Sequence, residues 1–148
     1  MEEGIKIRGF SAGEIGTFFN TKKTDVKILS PLTLAYIGDA VYEIIVRTIV
    51  VENGNAPVNK LNRKVSSIVK AVSQKEAMGR IESKLSEEEL AVYKRGRNAK
   101  SYTSAKNASI IDYRIATGLE ALVGYLYLDG RNERLFELVK IGLGDKLG

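Results

Sequence analysis

The sequence has no cysteine, no histidine and no tryptophan, and only two prolines among its 148 residues. Without cysteine there is no disulfide, no thiolate nucleophile and no cysteine-based zinc site, which suits a reducing compartment such as the cytoplasm. Without histidine the commonest base at neutral pH, the Ser-His and Cys-His dyads and nearly all zinc chemistry are excluded too. Any catalysis must use carboxylates, lysine, tyrosine or a metal held by oxygen. No basic region followed by an apolar stretch opens the chain, so no secretory signal is expected. The longest apolar stretch, Leu34 to Val51, is interrupted by Asp39, Glu43 and Arg47. It is expected as a buried helix, with no membrane span.

What is present is ordinary for a globular protein, with 44% hydrophobic and 28% charged residues. The length suits one core and a single compact domain. The net charge of +5 and a pI near 9.4 favour a polyanionic partner.

Hydrophobic spacing indicates helices throughout. Ser11 and Glu14 resemble a capping box that opens a short helix through Phe18 and Phe19. Ser30 before Pro31 reads as an N-cap with proline at the first helical position, and that helix runs to about Val51 before Asn53-Gly54 stops it. From Pro57, Val58, Leu61, Val65, Ile68, Val72, Met78 and Ile81 recur at three- and four-residue steps, which predicts one continuous basic helix. Ser86 and Glu89 form a capping box for a short helix ending near Lys94. Gly96 then breaks the pattern, and Lys94 to Ser101, continuing to Lys106 and Asn107, reads as a cationic loop. A strongly apolar helix follows from Ser109 to about Leu128, and a last amphipathic one from Glu133 to about Ile141. No segment shows the two-residue alternation of a sheet. The expected fold is therefore an all-α helical bundle of five or six helices, with residues 1–29 as an extension of undefined role before a domain over 30–148.

Two features carry chemistry. On the nearly all-apolar helix after Pro31, Asp39, Glu43 and Arg47 fall at four-residue steps on one face. They form either a solvated strip built on a Glu43–Arg47 pair or a face on which Asp39 is a metal ligand. Between Arg114 and Asp129 the sole charge is Glu120, among apolar neighbours. A carboxylate there needs a cation, a metal, donors or water, because an uncompensated buried ion costs several kcal/mol. Arg47 or a lysine would suffice as its partner. Thr117 and Gly124 share its helical face, and glycine there lets another backbone approach closely. If the two apolar helices cross at these polar spots, Asp39 and Glu120 meet and form a hard-oxygen site suited to magnesium or manganese.

At these residues the sequence resembles the ribonuclease III family. Its first signature resembles Leu34 to Glu43 (LAYIGDAVYE) and its second Ala116 to Leu128 (ATGLEALVGYLYL). Between them, Val65 to Gln74 and Lys94 to Ser101 are similar to the versions found in the Mini-ribonuclease III subgroup. The resemblance covers about residues 30 to 140. It implies a dimeric endonuclease domain that hydrolyses double-stranded RNA with Mg2+, or Mn2+ in its place, leaving 5′ phosphates and short 3′ overhangs. It gives Asp39 and Glu120 the roles of catalytic metal ligands, with Glu43 and Thr117 supporting.

Two of the wider family's four site carboxylates are replaced here, by Ala35 and Thr117, as in the Mini subgroup. The resemblance further implies a homodimer with Tyr36 packed across the interface, where pattern alone also fits packing within one chain. It implies RNA contacts at Lys94, Arg95, Arg97, Asn98 and Lys100, with Lys70, Ser73 and Gln74 as a second line; a purely solvated loop is the structural alternative. It also implies a stand-alone catalytic domain without a C-terminal double-stranded-RNA-binding domain, located in the cytoplasm. The implied substrate is precursor 23S ribosomal RNA of the large subunit, with a large-subunit ribosomal protein as a further partner. The alternative is a non-catalytic dimeric RNA-binding or ribosome-assembly scaffold, which Ala35 and Thr117 keep open. Failure to bind duplex RNA at low salt would favour a third reading, a helical protein-interaction module.

Overall fold

The structure, a computed structural model, describes residues 7–100 and 109–147. Among them there are seven α-helices, two short 3-10 turns and no strand: α1 (Ala12–Phe18), α2 (Pro31–Glu52), α3 (Val58–Val69), α4 (Ala71–Ile81), α5 (Glu87–Asn98), α6 (Ile110–Leu128) and α7 (Asn132–Leu143), with the turns at Val26–Ile28 and Glu82–Lys84. The all-α expectation holds, and among the described residues no helix is long and apolar enough to cross a membrane.

Helix starts follow side-chain caps. The hydroxyls of Ser11, Ser30, Ser86 and Ser109 each accept a hydrogen bond from the backbone N–H three residues on, and at Ser86 the Glu89 carboxylate returns the bond. These caps satisfy donors that the first turn of a helix cannot pair internally.

Helix α6 is the axis of the fold. Residues Ala116 to Leu126, except Glu120, are buried, and α2, α4, α5 and α7 all pack on it. Glycines set how closely they do so. A Cβ on Gly38 of α2 would lie 1.7 Å from the Glu120 carbonyl oxygen, and one on Gly124 of α6 would lie 2.0 Å from that of Leu34. The backbones of α2 and α6 therefore touch, an approach that only glycine permits.

Two boundaries differ from the sequence reading. The helix after Pro57 is not continuous: Lys70 is extended, at φ −67° and ψ 158°, and separates α3 from α4. Side chains just beyond the break stabilise it, as the Ser73 hydroxyl donates to the Ser67 carbonyl at 2.6 Å and the Gln74 amide to that of Val69 at 2.9 Å. These are carbonyls that a helix end leaves unpaired. Second, Lys94 to Asn98 is not a loop but the last turns of α5. Gly96 stays helical because α5 packs there on α6, where an added Cβ would lie 2.6 Å from the Ala121 methyl and 3.0 Å from the Gly118 Cα. Residues 101–108, the rest of the expected cationic segment, lie outside the described residues.

A buried ion cluster fastens α5 to α7. Glu89 is 1% exposed, and both its oxygens accept from Arg134 at 2.8 Å, with Arg131 at 3.5 Å. The Arg134 guanidinium, outweighing the cost of burial, holds the Glu89 carboxyl down to about 2.

Candidate active site

The crossing of α2 and α6 decides the geometry of the site. Asp39 follows Gly38, the point of backbone contact, and Glu120 supplies the carbonyl that Gly38 meets. The two carboxyls consequently come within hydrogen-bonding reach of each other. Asp39 lies at the exposed edge and Glu120 is half-buried behind it. Burial, then the neighbouring Asp39 charge, pushes the Glu120 carboxyl well above the usual carboxylate range, while a hydrogen bond from Gln74 opposes the rise.

No basic side chain among the described residues forms an ion pair with Glu120. Arg47, one sequence candidate, pairs with Glu43 at 2.5 Å on the α2 surface. Glu43 is thus placed in the solvated i,i+4 pair, whereas Asp39 turns to Glu120. Tyr42 lies behind them, 2% exposed. Its phenol is pushed up to about 12 by burial, with Arg80 lowering it and Glu120 raising it, so it is a neutral hydroxyl at physiological pH.

Thr117 is buried and its hydroxyl donates to the Tyr113 carbonyl at 2.9 Å. That proton stays within the helix. Among the described residues no group of three or more Asp, Glu, His or Cys could gather round a metal. What remains is a pair of carboxylates with an amide beside them. This oxygen set suits a hard divalent ion that keeps several waters and suits zinc poorly. A cation between the carboxylates would also offset the repulsion that raises Glu120.

Of the residues expected to contact RNA, Lys94, Arg95, Asn98, Lys100 and Lys70 are exposed. Arg97 stacks 5.6 Å over the Tyr93 ring, and Arg95 donates to the Leu29 carbonyl at 3.3 Å. Gly96 packs beside Thr117, Gly118 and Ala121, so this basic turn lies along the stretch of α6 that carries Glu120. Ser73 and Gln74 are instead buried, bonded to the end of α3, and Gln74 also donates to Glu120 Oε2 at 3.2 Å. The resemblance puts Ser73 and Gln74 in a second line of RNA contacts, which their burial behind the break at Lys70 excludes. Sequence reasoning also passed over Gly38, although a glycine inside a long apolar helix, at a cost of about 1 kcal/mol, usually marks close packing.

Tyr36 is 82% exposed, which leaves no room for the intrachain-core alternative. With Ala40 and Ile44 it forms an apolar row on α2 that leads into a groove of about 820 Å³ between α2 and α7, walled by Ile37, Ile44, Leu135 and Phe136.

Comparison with known proteins identifies the chain. The ribonuclease III domain model matches residues 32–131. A Mini-ribonuclease 3 of Clostridium tetani is 55% identical over 120 residues, covering 80% of each chain. One from Thermoanaerobacter is 49% identical, covering 82% of this chain and 85% of its own. A crystal structure of a Fusobacterium nucleatum protein superposes with a TM-score of 0.73 at 29% identity, over 81% of this chain and 92% of that one. The chain therefore belongs to the ribonuclease III family, as an endoribonuclease of its Mini-ribonuclease 3 group.

Proposed function

We propose that the chain acts as a homodimer that hydrolyses double-stranded RNA with a divalent cation, Mg2+ or Mn2+, held by Asp39 and Glu120. The observation that carries this reading is the convergence of these two carboxylates at the glycine contact of α2 and α6. A cation bound there supplies neutralisation of the phosphate and a lowered pKa for a bound water. In the reaction a water adds to phosphorus, the bond to the 3′ oxygen breaks, and the products carry a 5′ phosphate and a 3′ hydroxyl. Asp39, at the edge, faces the incoming backbone, and Glu120 anchors the site from behind.

On this reading Lys94, Arg95, Arg97, Asn98 and Lys100, with Lys70, meet phosphates and sugar oxygens of the duplex, which the packing of Gly96 beside the Glu120 stretch of α6 supports. Such contacts read A-form shape more than sequence and weaken steeply with salt. The exposed row of Tyr36, Ala40 and Ile44 supports the dimer, since an apolar surface of this kind marks an interaction site. It is adjacent to Asp39, so a two-fold axis there sets two sites side by side, one for each strand. The biological substrate we infer is precursor 23S ribosomal RNA in the cytoplasm, with a large-subunit ribosomal protein helping to place it.

The test is cleavage of a labelled precursor ribosomal duplex with magnesium or with chelator, alongside Asp39→Asn and Glu120→Gln. Magnesium-dependent cuts with 5′-phosphate ends, absent in both variants while duplex binding persists, are expected. Binding without cleavage by the wild type across divalent metals would overturn the reading.

A further inference from the structure

Gln74 is only 2% exposed, and its amide nitrogen is used twice, towards the Val69 carbonyl at 2.9 Å and towards Glu120 Oε2 at 3.2 Å. Its Oε1 is buried with no partner among the described residues. An orphaned buried acceptor is destabilising. Packing alone therefore gives no reason for an amide here, because capping Val69 needs only one N–H. The second N–H reaches the one carboxylate of α6 that lies in the site.

We propose that Gln74 is a positioning residue of the nuclease site, its amide holding Glu120 Oε2 in the orientation in which Glu120 and Asp39 share a divalent cation. This inference rests on the metal-dependent reading above. The bond to Val69 fixes the amide against the backbone at the end of α3, so the donor offered to Glu120 is rigid. Glu120 has Asp39 on one side, which repels it, and Gln74 on the other, which attracts it. Without Gln74 the carboxylate is free to turn from Asp39. Groups that orient metal ligands in this way typically contribute about 10- to 100-fold to metal affinity or activity.

The experiment uses Gln74→Met, which conserves volume in the buried position, and Gln74→Leu as a second variant. Mn2+ binding to the RNA-free protein is measured by electron paramagnetic resonance, together with thermal unfolding and the Mg2+ dependence of cleavage. We expect Mn2+ affinity to fall by about tenfold or more and the half-saturating Mg2+ concentration to rise in parallel. Binding of duplex RNA in chelator should be unchanged. If both variants unfold at lower temperature yet the folded protein binds Mn2+ as tightly as wild type, Gln74 is structural and the inference is overturned. If the wild type itself binds no Mn2+, or Glu120→Gln binds it equally well, the metal reading beneath it fails instead. Should one variant not fold, the other decides the question by the same Mn2+ measurement.

Discussion

Replacing Gly38 by alanine tests the contact on which the site depends. The added methyl would stand 1.7 Å from the Glu120 carbonyl oxygen, 2.7 Å from its carbon and 2.8 Å from the Gly124 nitrogen. All three are backbone atoms inside a helix, so no side chain can swing aside. Reaching an ordinary contact of about 3.5 Å requires α2 and α6 to part by about 1.8 Å. Overpacking of this kind costs about 1–3 kcal/mol or more, and the better helix propensity of alanine returns about 1 kcal/mol. A net loss of at least about 2 kcal/mol is expected, because an unyielding contact this short lies at the upper end of that range. The same displacement draws Asp39 away from Glu120, and a misplacement of about 1 Å can cost about 100-fold in rate.

Urea denaturation and magnesium-dependent cleavage should be measured together, with Gly79→Ala as the control. Gly79 lies in α4 with nothing within 4 Å of its would-be Cβ. There alanine should add about 0.5–1 kcal/mol by restricting the unfolded chain. Equal stability and activity in Gly38→Ala and Gly79→Ala would refute the requirement for glycine at the α2–α6 contact.

Glu89 gives a pH dependence of known sign. Its carboxyl is held near 2 in the fold against 4.5 ordinarily, so its stabilisation is complete above about pH 4.5 and is lost as pH falls towards 2. The difference corresponds to at most about 3 kcal/mol, and Glu89→Gln should flatten this part of the stability profile measured by denaturation from pH 7 to 3. Arg134→Ala, which leaves buried Glu89 with the Ser86 N–H and a distant Arg131 as its only cation, should lose about 3–5 kcal/mol at pH 7. Glu120 has the opposite sign: its raised pKa makes the ionised form costly, so its contribution is greatest below pH 4.5 and is eroded as pH rises. In chelator at pH 7.5, Glu120→Gln should therefore unfold later than wild type by on the order of 1 kcal/mol, while losing cleavage. An unchanged or lower melting temperature would contradict that assignment. Thr117→Val should cleave at the wild-type rate with a stability change below about 1.5 kcal/mol, since its hydroxyl serves only the Tyr113 carbonyl. A large loss of rate would show that the hydroxyl takes part in the chemistry.

The sequence by itself determined the helical class, most helix starts and the two residues worth testing. It could do so because those signals are local. A serine three residues before a free backbone N–H makes the same cap in any fold, and Glu120 stands out because nothing charged surrounds it along the chain. The break at Lys70 and the helical state of Gly96 were not legible. The break is stabilised by side chains that follow it, and Gly96 stays helical because its lack of a side chain is used against α6. The pairing of Asp39 with Glu120, 81 positions apart in the chain, followed only if the helices crossed where they do. Tertiary structure alone decided that, through Gly38 and Gly124, and it moved Gln74 from the expected RNA-facing surface into contact with Glu120. The physical reason is that which groups meet across a helix crossing depends on how closely two backbones can approach, and periodicity along either helix records only which face each one buries.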